Sequence, residues 1–405
     1  MKQKVVVIGH GYTSRLGVIR SLAALDCEIE VVIMTPYDRF NRFTHMNGGR
    51  QIDCHSKYVS RYYYALLEPE DDLIRLLLEK VKVPGQKVIL VPDSDFSADL
   101  IDRNQERLKA WFLFPHIHHT PGQIGWWMDK SRQKELAVQV GLQVAAGQIV
   151  TVKDRQYDFP SGVVYPCFTK PLATINGGKQ FLKKCADEQE LRKVLDAIAR
   201  RFRTDVLIEE FKEIGQEYAV VGVSDGQEVV IPGVIEFKVN SRSHFGIARE
   251  GMILPVDGFE DLLTKFREFV RRIGFVGMFD IDFYRSGGSL FFSELNLRFG
   301  GSGYAYTAMG ANLPALYVKA LLGGDIGAEP CAVTSAASYV NERMCLEDYL
   351  HGYLGRKEVK SILRRADISF VRDKQDPGPY RKMVREFPVL WFRKYRLQWK
   401  KKIRS

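Results

Sequence analysis

Short, mostly apolar runs alternate with amphipathic stretches over the first third of the chain. The apolar runs are bounded by turn residues, as in strands buried on both faces: Lys4–Ile8, Ile29–Met34 and Lys87–Val91. Leu16–Leu25 and Asp71–Lys82 have the periodicity of helices. Strands that alternate with helices predict an α/β domain over residues 1–120, with a parallel, doubly wound sheet.

The pattern changes after this domain. Residues 121–330 predict an α+β domain with mostly antiparallel sheets, because strand-like segments there follow one another closely. The predicted helices are Met128–Val140 and Gln189–Phe202. The predicted strands are Gln148–Val152, Tyr165–Lys170, Val206–Glu210, Glu217–Ser224, Glu228–Val239, Gly277–Tyr284 and Leu290–Asn296. Residues 331–405 are predicted to form a basic helical C-terminal segment.

Charge is distributed unevenly along the 405 residues. The net charge is +10, and residues 331–405 alone carry 18 Lys and Arg against 8 Asp and Glu. Residues 1–330 are therefore balanced, so the basic excess is no argument for nucleic-acid binding by the main body. Hydrophobic residues make up 45% and charged residues 27%, which is typical of a soluble globular protein.

Targeting and redox signals are weak. The apolar run Val5–Ile8 is shorter than a secretory core, and no run approaches the roughly 20 residues of a membrane span. The six cysteines are scattered without a Cys-x-x-Cys pair. A disulfide framework and a structural zinc site are not expected, and a cytoplasmic location fits.

A glycine loop, Gly9–Ser14, follows the first predicted strand. It is a poor dinucleotide fingerprint, because Ser14 replaces the third glycine and Thr35 ends the second strand without an acid. The loop is better explained as facing a substrate, although a parallel strand needs such a turn in any case. Arg15 and Arg20 offer positive charge there, with a solvated helix face as the alternative.

Polar side chains converge on a predicted hairpin near residue 290. Glu294, Asn296 and Arg298 alternate along one strand and share a face, and Asp282 on the preceding strand can reach it. Two carboxylates and an amide oxygen suit Mg²⁺ bound to nucleotide phosphates. The alternative is an exposed polar face of an edge hairpin. Asp280 remains a rival to Asp282 as the first ligand.

Two further segments are candidates for nucleotide contacts. Lys170 ends a strand and is followed by Gly177 and Gly178, a combination suited to closing over phosphates. The apolar strand that starts at Val206 ends in acids, which could bind adenine and ribose; its contacts would come from Glu209, Glu210, Phe211 and Glu217. A surface turn and a strand entering solvent are the respective alternatives.

Taken in order, these motifs resemble the ATP-grasp superfamily. The resemblance covers roughly residues 121–325, and it implies a two-subdomain ATP-grasp fold with a lid subdomain at about 121–205. The preceding α/β domain is similar to the N-terminal domain of that family. ATP and Mg²⁺, for which Mn²⁺ can substitute, are the implied cofactors.

The resemblance also implies roles for individual residues. The implied phosphate contacts are Lys130, Lys170, Gly177 and Gly178. The implied adenine and ribose contacts are Glu209, Glu210, Phe211 and Glu217, with the nucleotide-facing acid open between Glu209 and Glu210. The implied metal ligands are Asp282, Glu294 and Asn296. Arg298 and Lys170 are the implied catalytic residues, and substrate contacts are expected at Arg20, Ser243, His244 and Arg249.

Within the superfamily, a weaker resemblance, which does not fix the substrate, is to the carboxylate–amine ligases, which include D-aspartate ligases, and to carbamoyl-phosphate-synthase-like proteins. It implies an ADP-forming ligase that makes an amide bond through an acyl phosphate, with a cell-envelope precursor as one substrate class. Open alternatives are another acyl-phosphate reaction (carbamoyl-phosphate-like, carboxylase or thiol ligase) and a regulator that binds ATP without turnover.

The expected partners are a small-molecule carboxylate and amine, with a homodimer as an open alternative and no nucleic acid. The tail Trp391–Lys402 mixes aromatic residues with cations. Such a tail suits an anionic membrane surface and a peripheral position at its inner face. Packing of the tail on the domain is the alternative.

Overall fold

The computed structural model describes residues 2–10, 12–36, 51–172, 181–201, 205–244, 246–328 and 330–388. Its strands are β1 (Gln3–Gly9), β2 (Cys27–Thr35), β3 (Val59–Leu66), β4 (Val88–Pro92), β5 (Phe112–Leu113), β6 (His116–Ile117), β7 (Gln143–Val144), β8 (Gly147–Val150), β9 (Cys167–Pro171), β10 (Lys183–Cys185), β11 (Val206–Glu210), β12 (Gln216–Asp225), β13 (Val229–Val230), β14 (Val234–Asn240), β15 (Ala248–Leu254), β16 (Phe275–Ser286), β17 (Ser289–Asn296), β18 (Ala337–Val340) and β19 (Ile368–Ser369).

Its helices are α1 (Tyr12–Leu22), α2 (Asp71–Leu76), α3 (Asp95–Arg103), α4 (Gln105–Leu108), α5 (Gln123–Trp127), α6 (Lys130–Gln139), α7 (Glu188–Arg201), α8 (Glu260–Ile273), α9 (Tyr304–Ala308), α10 (Leu313–Leu321), α11 (Glu342–Leu350) and α12 (Arg356–Arg365). Residues 378–388 are also helical.

The described chain divides into two compact units. The first comprises Met1–Ile124, Tyr218–Asp280 and Asn296–Ser405, and the second comprises Gly125–Glu217 and Ile281–Leu295. The second unit therefore consists of two segments of the chain, and the shorter one is made by parts of the hairpin strands β16 and β17.

A five-stranded parallel sheet lies in the first unit, with the strand order β3-β2-β1-β4-β5. The predicted parallel sheet is thus confirmed. The strand order reverses at β1, so the ends of β1 and β4 form a switch point, the usual ligand edge of an open sheet. Gly9 lies there, and a Cβ atom at this position would clash with the carboxylate of Asp93.

A second sheet in the first unit is mostly antiparallel. β15 pairs antiparallel with β14 and β18, and β18 pairs parallel with β19. The C-terminal segment, predicted to be helical, therefore also contributes two strands, and Tyr339 on β18 is fully buried. The predicted strand Glu228–Val239 is split into β13 and β14, because Pro232 between them lacks the N–H group that a continuous ladder needs.

In the second unit, four antiparallel strands lie in the order β10-β9-β11-β8. Helix α7 buries Leu191, Leu195 and Ile198 in one apolar cluster with Val206 and Ile208 of β11. Strand β11 is therefore buried from Val206 to Glu209, and its last residue, Glu210, is half-buried.

Arg15 is fully buried in the first unit and holds the β1 turn in place. Its Nε lies 2.7 Å from Asp53 Oδ2, and its Nη1 donates to the Gly9 carbonyl at 2.5 Å. Nη1 also lies 3.6 Å from Asp93. The solvated-helix alternative for Arg15 does not apply, because the guanidinium is enclosed by carboxylates.

We expect Asp53→Asn to destabilise the protein by about 3–5 kcal/mol, because it removes one partner of a buried ion pair. Urea denaturation of the full chain measures the change. Asp71→Asn is the control, since the Asp71–Arg107 pair is exposed and should leave the urea midpoint nearly unchanged. An unchanged midpoint for Asp53→Asn would show that the Arg15 pair contributes nothing net.

Candidate functional site

The second unit contains a buried glutamate that contacts two lysines. Glu209 lies on β11, one residue from its end, and is 3% exposed. Lys170 Nζ on the neighbouring β9 lies 2.6 Å from Glu209 Oε2, and the Lys134 ammonium contacts the other oxygen, Oε1. A third lysine, Lys130, forms an ion pair with Glu294. The second unit therefore concentrates three ammonium groups around two carboxylates.

The start of α6 explains how two of these lysines come together. Asp129 caps the helix and accepts hydrogen bonds from the N–H groups of Ser131 and Arg132, at 2.9 and 3.2 Å. Lys130 and Lys134 are then one turn apart on one face. Gln133 pins the helix to β17: it donates to the Leu295 carbonyl and accepts from the Leu295 N–H, both at 2.9 Å. Glu294 is adjacent, which places it against Lys130.

Burial makes these ammonium groups easier to deprotonate. It lowers the pKa of Lys134 to about 7, and the positive charges of Lys170 and Lys130 act in the same direction. Burial likewise lowers the pKa of Lys170 to about 8, with Lys130 adding to the shift and Glu294 opposing it. The Glu209 carboxylate in contact with both lysines also favours their charged forms. An arriving polyphosphate would supply further negative charge and raise both pKa values.

Polyphosphate binding should consequently weaken as the pH rises. Both lysines are charged below their pKa values of about 7 and 8 and lose charge as the pH passes through them. We expect the affinity for ATP to fall between pH 7 and pH 9, with proton uptake on binding at the upper end. Calorimetric titration in buffers of different ionisation enthalpy measures both quantities. Lys170→Arg should flatten the upper part of the profile, and a pH-independent wild-type affinity would contradict this assignment.

Lys134 was not among the residues singled out in the sequence. Its signal was present, because Lys130 was a candidate and Lys134 follows it by four residues on a predicted helix. Lys134 also donates to the Ala145 carbonyl at 3.1 Å. This bond helps to hold the Lys134 ammonium in its position beside Glu209.

The residues after Glu209 are arranged differently. Glu210 is half-exposed and accepts from Lys212 at 2.7 Å, and the Lys184 ammonium lies 4.0 Å from the ring centre of Phe211. The N–H groups of Glu210 and Phe211 are engaged by the carbonyls of Ala146 and Pro166. Glu217 is the second residue of β12 and the last residue of its range in the second unit. With Glu209 bound to lysines, Glu210 has the more accessible carboxylate of the two alternatives.

The predicted metal ligands lie on the hairpin strands. Asp282 on β16 and Glu294 on β17 belong to the second unit, whereas Asn296, two residues after Glu294 on the same face of β17, belongs to the first unit. Their oxygen donors fit Mg²⁺. Among the described residues no group of three His, Cys, Asp or Glu side chains forms a metal cluster, and the metal assignment stays a prediction. Asp280, the rival ligand, is buried in the first unit beside Arg298.

Arg298 is held by two carboxylates of the first unit. Its Nε lies 3.1 Å from Asp95 Oδ1 and its Nη1 lies 3.5 Å from Asp280 Oδ2. Asp95 is the first residue of α3 and follows β4, so Arg298 lies near the switch point of the parallel sheet. Burial raises the pKa of the neighbouring Asp93 to about 7, against the opposing charge of Arg15.

Of the four expected substrate contacts, Ser243 and Arg249 meet at Asp348, and Arg20 pairs with a different carboxylate. Arg20 is 7% exposed and donates to Asp376 and to the carbonyls of Phe370 and Val371. Arg249 pairs with Glu250 and Asp348. Ser243 also donates to Asp348, at 2.8 Å, and contacts the His244 ring. Their assignment to substrate stays a prediction.

Two predicted features lie outside the described residues. These are Gly177 and Gly178 of the predicted lid and the basic tail Trp391–Lys402. Within the part of the chain that is described, no helix combines the length and apolar character needed to cross a bilayer.

Comparison with known proteins identifies similar sequences. No family model matches the chain. The carbamoyl phosphate synthase large chain of Clostridium beijerinckii is 25% identical over 310 residues, which cover 73% of this chain and 27% of that protein. The corresponding protein of Gemmatimonas aurantiaca is 24% identical over 209 residues, which cover 50% and 19% respectively. The chain thus spans about a quarter or less of these relatives.

Solved structures with the same fold are also found. The N5-carboxyaminoimidazole synthetase of Staphylococcus aureus has a TM-score of 0.58 at 15% identity, over 84% of this chain and 82% of that one. The L-amino acid ligase of Bacillus licheniformis has a TM-score of 0.59 at 16% identity, over 84% and 79%. The biotin carboxylase domain of Hydrogenobacter thermophilus 2-oxoglutarate carboxylase, solved with MgADP and bicarbonate, has a TM-score of 0.61 at 18% identity, over 84% and 74%.

These neighbours are ATP-grasp enzymes, so the chain has the ATP-grasp fold. The resemblance predicted from the order of the motifs is confirmed, including the similarity to carbamoyl phosphate synthase.

Proposed function

We propose that this protein is an ATP-dependent carboxylate–amine ligase that works through an acyl phosphate. The observation that carries the proposal is Glu209 buried between Lys134 and Lys170, with Lys130 on Glu294 in the same unit. When all three are protonated, these lysines provide more positive charge than the two carboxylates neutralise. Such a surplus suits a triphosphate, whose oxygens replace the carboxylates as partners of the ammonium groups.

The proposal also assigns residues to the adenine, the ribose and the magnesium ion of the nucleotide complex. Residues 121–330 would form the two ATP-grasp subdomains, with the lid at about 121–205. Glu210, Phe211 and Glu217 would contact adenine and ribose. Asp282, Glu294 and Asn296 would hold Mg²⁺, which neutralises charge on the transferring phosphoryl group.

The reaction then has two steps. A carboxylate oxygen of the acid attacks the γ-phosphorus of ATP, the bond to the β-phosphate oxygen breaks, and ADP leaves. An amine nitrogen attacks the acyl carbon, the C–N bond forms, and inorganic phosphate leaves as the amine loses a proton. Lys130 and Lys170 stabilise charge in the first step, and the Arg298 guanidinium stabilises the oxyanion of the second.

The substrates proposed are a small carboxylic acid and an amine, with a cell-envelope precursor as one acceptor class. The support for this branch is the resemblance to carboxylate–amine ligases. The shared fold with an enzyme solved with bicarbonate makes bicarbonate the competing acid.

Phosphate release from Mg-ATP tests the proposal against a panel of acids and amines, including D- and L-amino acids and bicarbonate. Release should require both an acid and an amine. When the acid carries ¹⁸O in its carboxylate, one labelled oxygen should appear in the released phosphate, because that oxygen bridges carbon and phosphorus in the acyl phosphate. Phosphate without the label would exclude this route. Failure to bind ATP at all would exclude the function altogether.

A further inference from the structure

The carboxylate of Glu209 bridges two lysines that come from different elements. Its Oε2 lies 2.6 Å from Lys170 Nζ on β9, and its Oε1 contacts the Lys134 ammonium on α6. Strand β8 leaves room for the side chain, because Gly147 lies opposite Glu209 and a Cβ atom there would come within 3.1 Å of the Glu209 Cγ. Solvent reaches 4% of the Glu209 side chain, so both oxygens are committed to the lysines.

This position differs from the nucleotide contact that the resemblance implied for Glu209. A carboxylate whose two oxygens each face an ammonium group is not available to adenine or ribose at the same time. Phosphate oxygens make the same kind of charge-assisted contact with lysines. Glu209 therefore occupies the place that the proposed function gives to a phosphate group.

The bridge has a purpose in the protein without nucleotide. Burial lowers the pKa of Lys134 to about 7 and that of Lys170 to about 8, and the charge of Lys130 acts in the same direction on both. The negative charge of Glu209 opposes these effects and keeps the ammonium groups protonated. Without an anion between them, two largely buried ammonium groups would be left uncompensated, which is strongly unfavourable.

The same contact competes with an incoming polyphosphate. Phosphate oxygens reach Lys134 and Lys170 only after Glu209 leaves them, because two anions repel each other and need the same N–H donors. When a site is open for only a fraction of the time, the apparent dissociation constant equals the intrinsic one divided by that fraction. Every anion that needs both lysines is weakened by this factor. ATP has further contacts through adenine and ribose, whereas inorganic phosphate has none.

We propose that Glu209 is an internal anion that closes the polyphosphate site and reserves it for ligands that bind strongly enough to displace a carboxylate. Glu209 is then a specificity-determining residue, which raises the dissociation constants of inorganic phosphate and other small anions out of their useful range. The inference rests on the proposed function in one respect, the placing of a polyphosphate on Lys134 and Lys170.

Glu209→Gln tests the proposal, because glutamine keeps the size of the side chain and removes its charge. Calorimetric titration of the full chain at pH 6 and constant ionic strength measures the dissociation constants of ATP and of inorganic tripolyphosphate, with inorganic phosphate as a competitor. We expect all three anions to bind about tenfold more tightly to the variant, which corresponds to a wild-type site that is open for about a tenth of the time.

The matched control is Glu135→Gln, which removes the same charge from an exposed position next to Lys134 on α6. It should bind the three anions like the wild type. Glu209→Asp keeps the charge on a side chain that is one methylene shorter and no longer reaches both lysines. Its dissociation constants should lie between those of the wild type and of Glu209→Gln.

Thermal unfolding checks that Glu209→Gln is folded, since the glutamine leaves two largely buried lysines without an anion. Tripolyphosphate should raise the unfolding midpoint of this variant by more than it raises that of the wild type, because the ligand binds the variant more tightly. An equal or smaller rise would contradict the displacement of Glu209 by the ligand.

The comparison of ligands separates this role from the alternatives. Weaker binding of ATP with unchanged binding of tripolyphosphate would overturn the proposal and place Glu209 against adenine or ribose. Unchanged or weaker binding of both would also overturn it, since Glu209 would then only hold the lysines in place. A wild type that binds tripolyphosphate without turning over ATP would refute the proposed function, and the tripolyphosphate comparison would still decide the role of Glu209. Binding of neither ligand by the wild type would overturn both proposals.

Discussion

Lys170→Ala should lower kcat/KM for ATP-dependent turnover by about 100- to 1000-fold. The lysine is fixed on β9 opposite Leu207 of β11, and its ammonium lies 2.6 Å from Glu209. Alanine leaves Glu209 with one lysine fewer and removes a cation from the proposed polyphosphate site. The loss should appear both in the dissociation constant for ATP, measured by calorimetry, and in the rate of phosphate release.

Lys183→Ala provides the control for this variant. Lys183 lies on β10 of the same sheet and is exposed, so its removal changes the charge equally without touching the cluster. The control should bind ATP like the wild type. Lys170→Arg should restore ATP binding in part, because the charge returns. If Lys170→Ala and Lys183→Ala had the same small effect, Lys170 would have no role in nucleotide binding.

Arg298→Lys should lower kcat about 100-fold or more while the dissociation constant for ATP stays within a small factor of the wild type. The guanidinium of Arg298 spans Asp95 and Asp280 through different nitrogens, and a lysine point charge cannot keep both contacts. The proposed role of Arg298 is in the second step, so chemistry and not nucleotide binding should suffer. Single-turnover measurement of ADP and amide formation separates the two steps.

ADP formation should therefore survive better than amide formation in Arg298→Lys. Arg272→Lys is a suitable control, because Arg272 pairs with Glu268 on the exposed face of α8. Equal losses of both products would place Arg298 in phosphoryl transfer. A large loss of ATP affinity would instead make it part of the nucleotide site, which the arrangement in the first unit does not predict.

Strands buried on both faces were predictable because they depend on a local signal. β1, β2, β4 and β11 were predicted to within one or two residues at each end, since their apolar runs end abruptly at polar or turn residues. β3 was not predicted, because Val59–Leu66 mixes serine, arginine and three tyrosines and lacks a regular alternation of apolar and polar residues. Its place in the sheet comes from pairing with β2, which is a long-range contact.

In the candidate site, too, residues marked by a local motif were predictable and residues defined by distant contacts were not. Lys170, Glu209 and Glu294 were predicted from short motifs, and the fold brings Lys170 and Glu209 into contact through the β9–β11 pairing. The burial of Arg15 depends on partners far away in sequence, which no local pattern encodes. Lys134, in contrast, could have been found from its spacing of four residues to Lys130 on a predicted helix. Arg20, predicted as a substrate contact from its place near a glycine loop, pairs with Asp376, which lies 356 residues away in sequence.

During synthesis, helix α1 is made long before helix α10, against which it packs. Its apolar residues share a core with Leu313, Leu316 and Tyr317 of α10, and the Asn312 side chain donates to the Ser21 carbonyl at 2.8 Å. About 290 residues separate the end of α1 from α10. At about 5–20 residues per second, a ribosome needs roughly 15–60 seconds to cover that length. During this interval the nascent chain carries an uncovered apolar helix face, so newly made protein should depend on chaperones that bind such faces until α10 emerges.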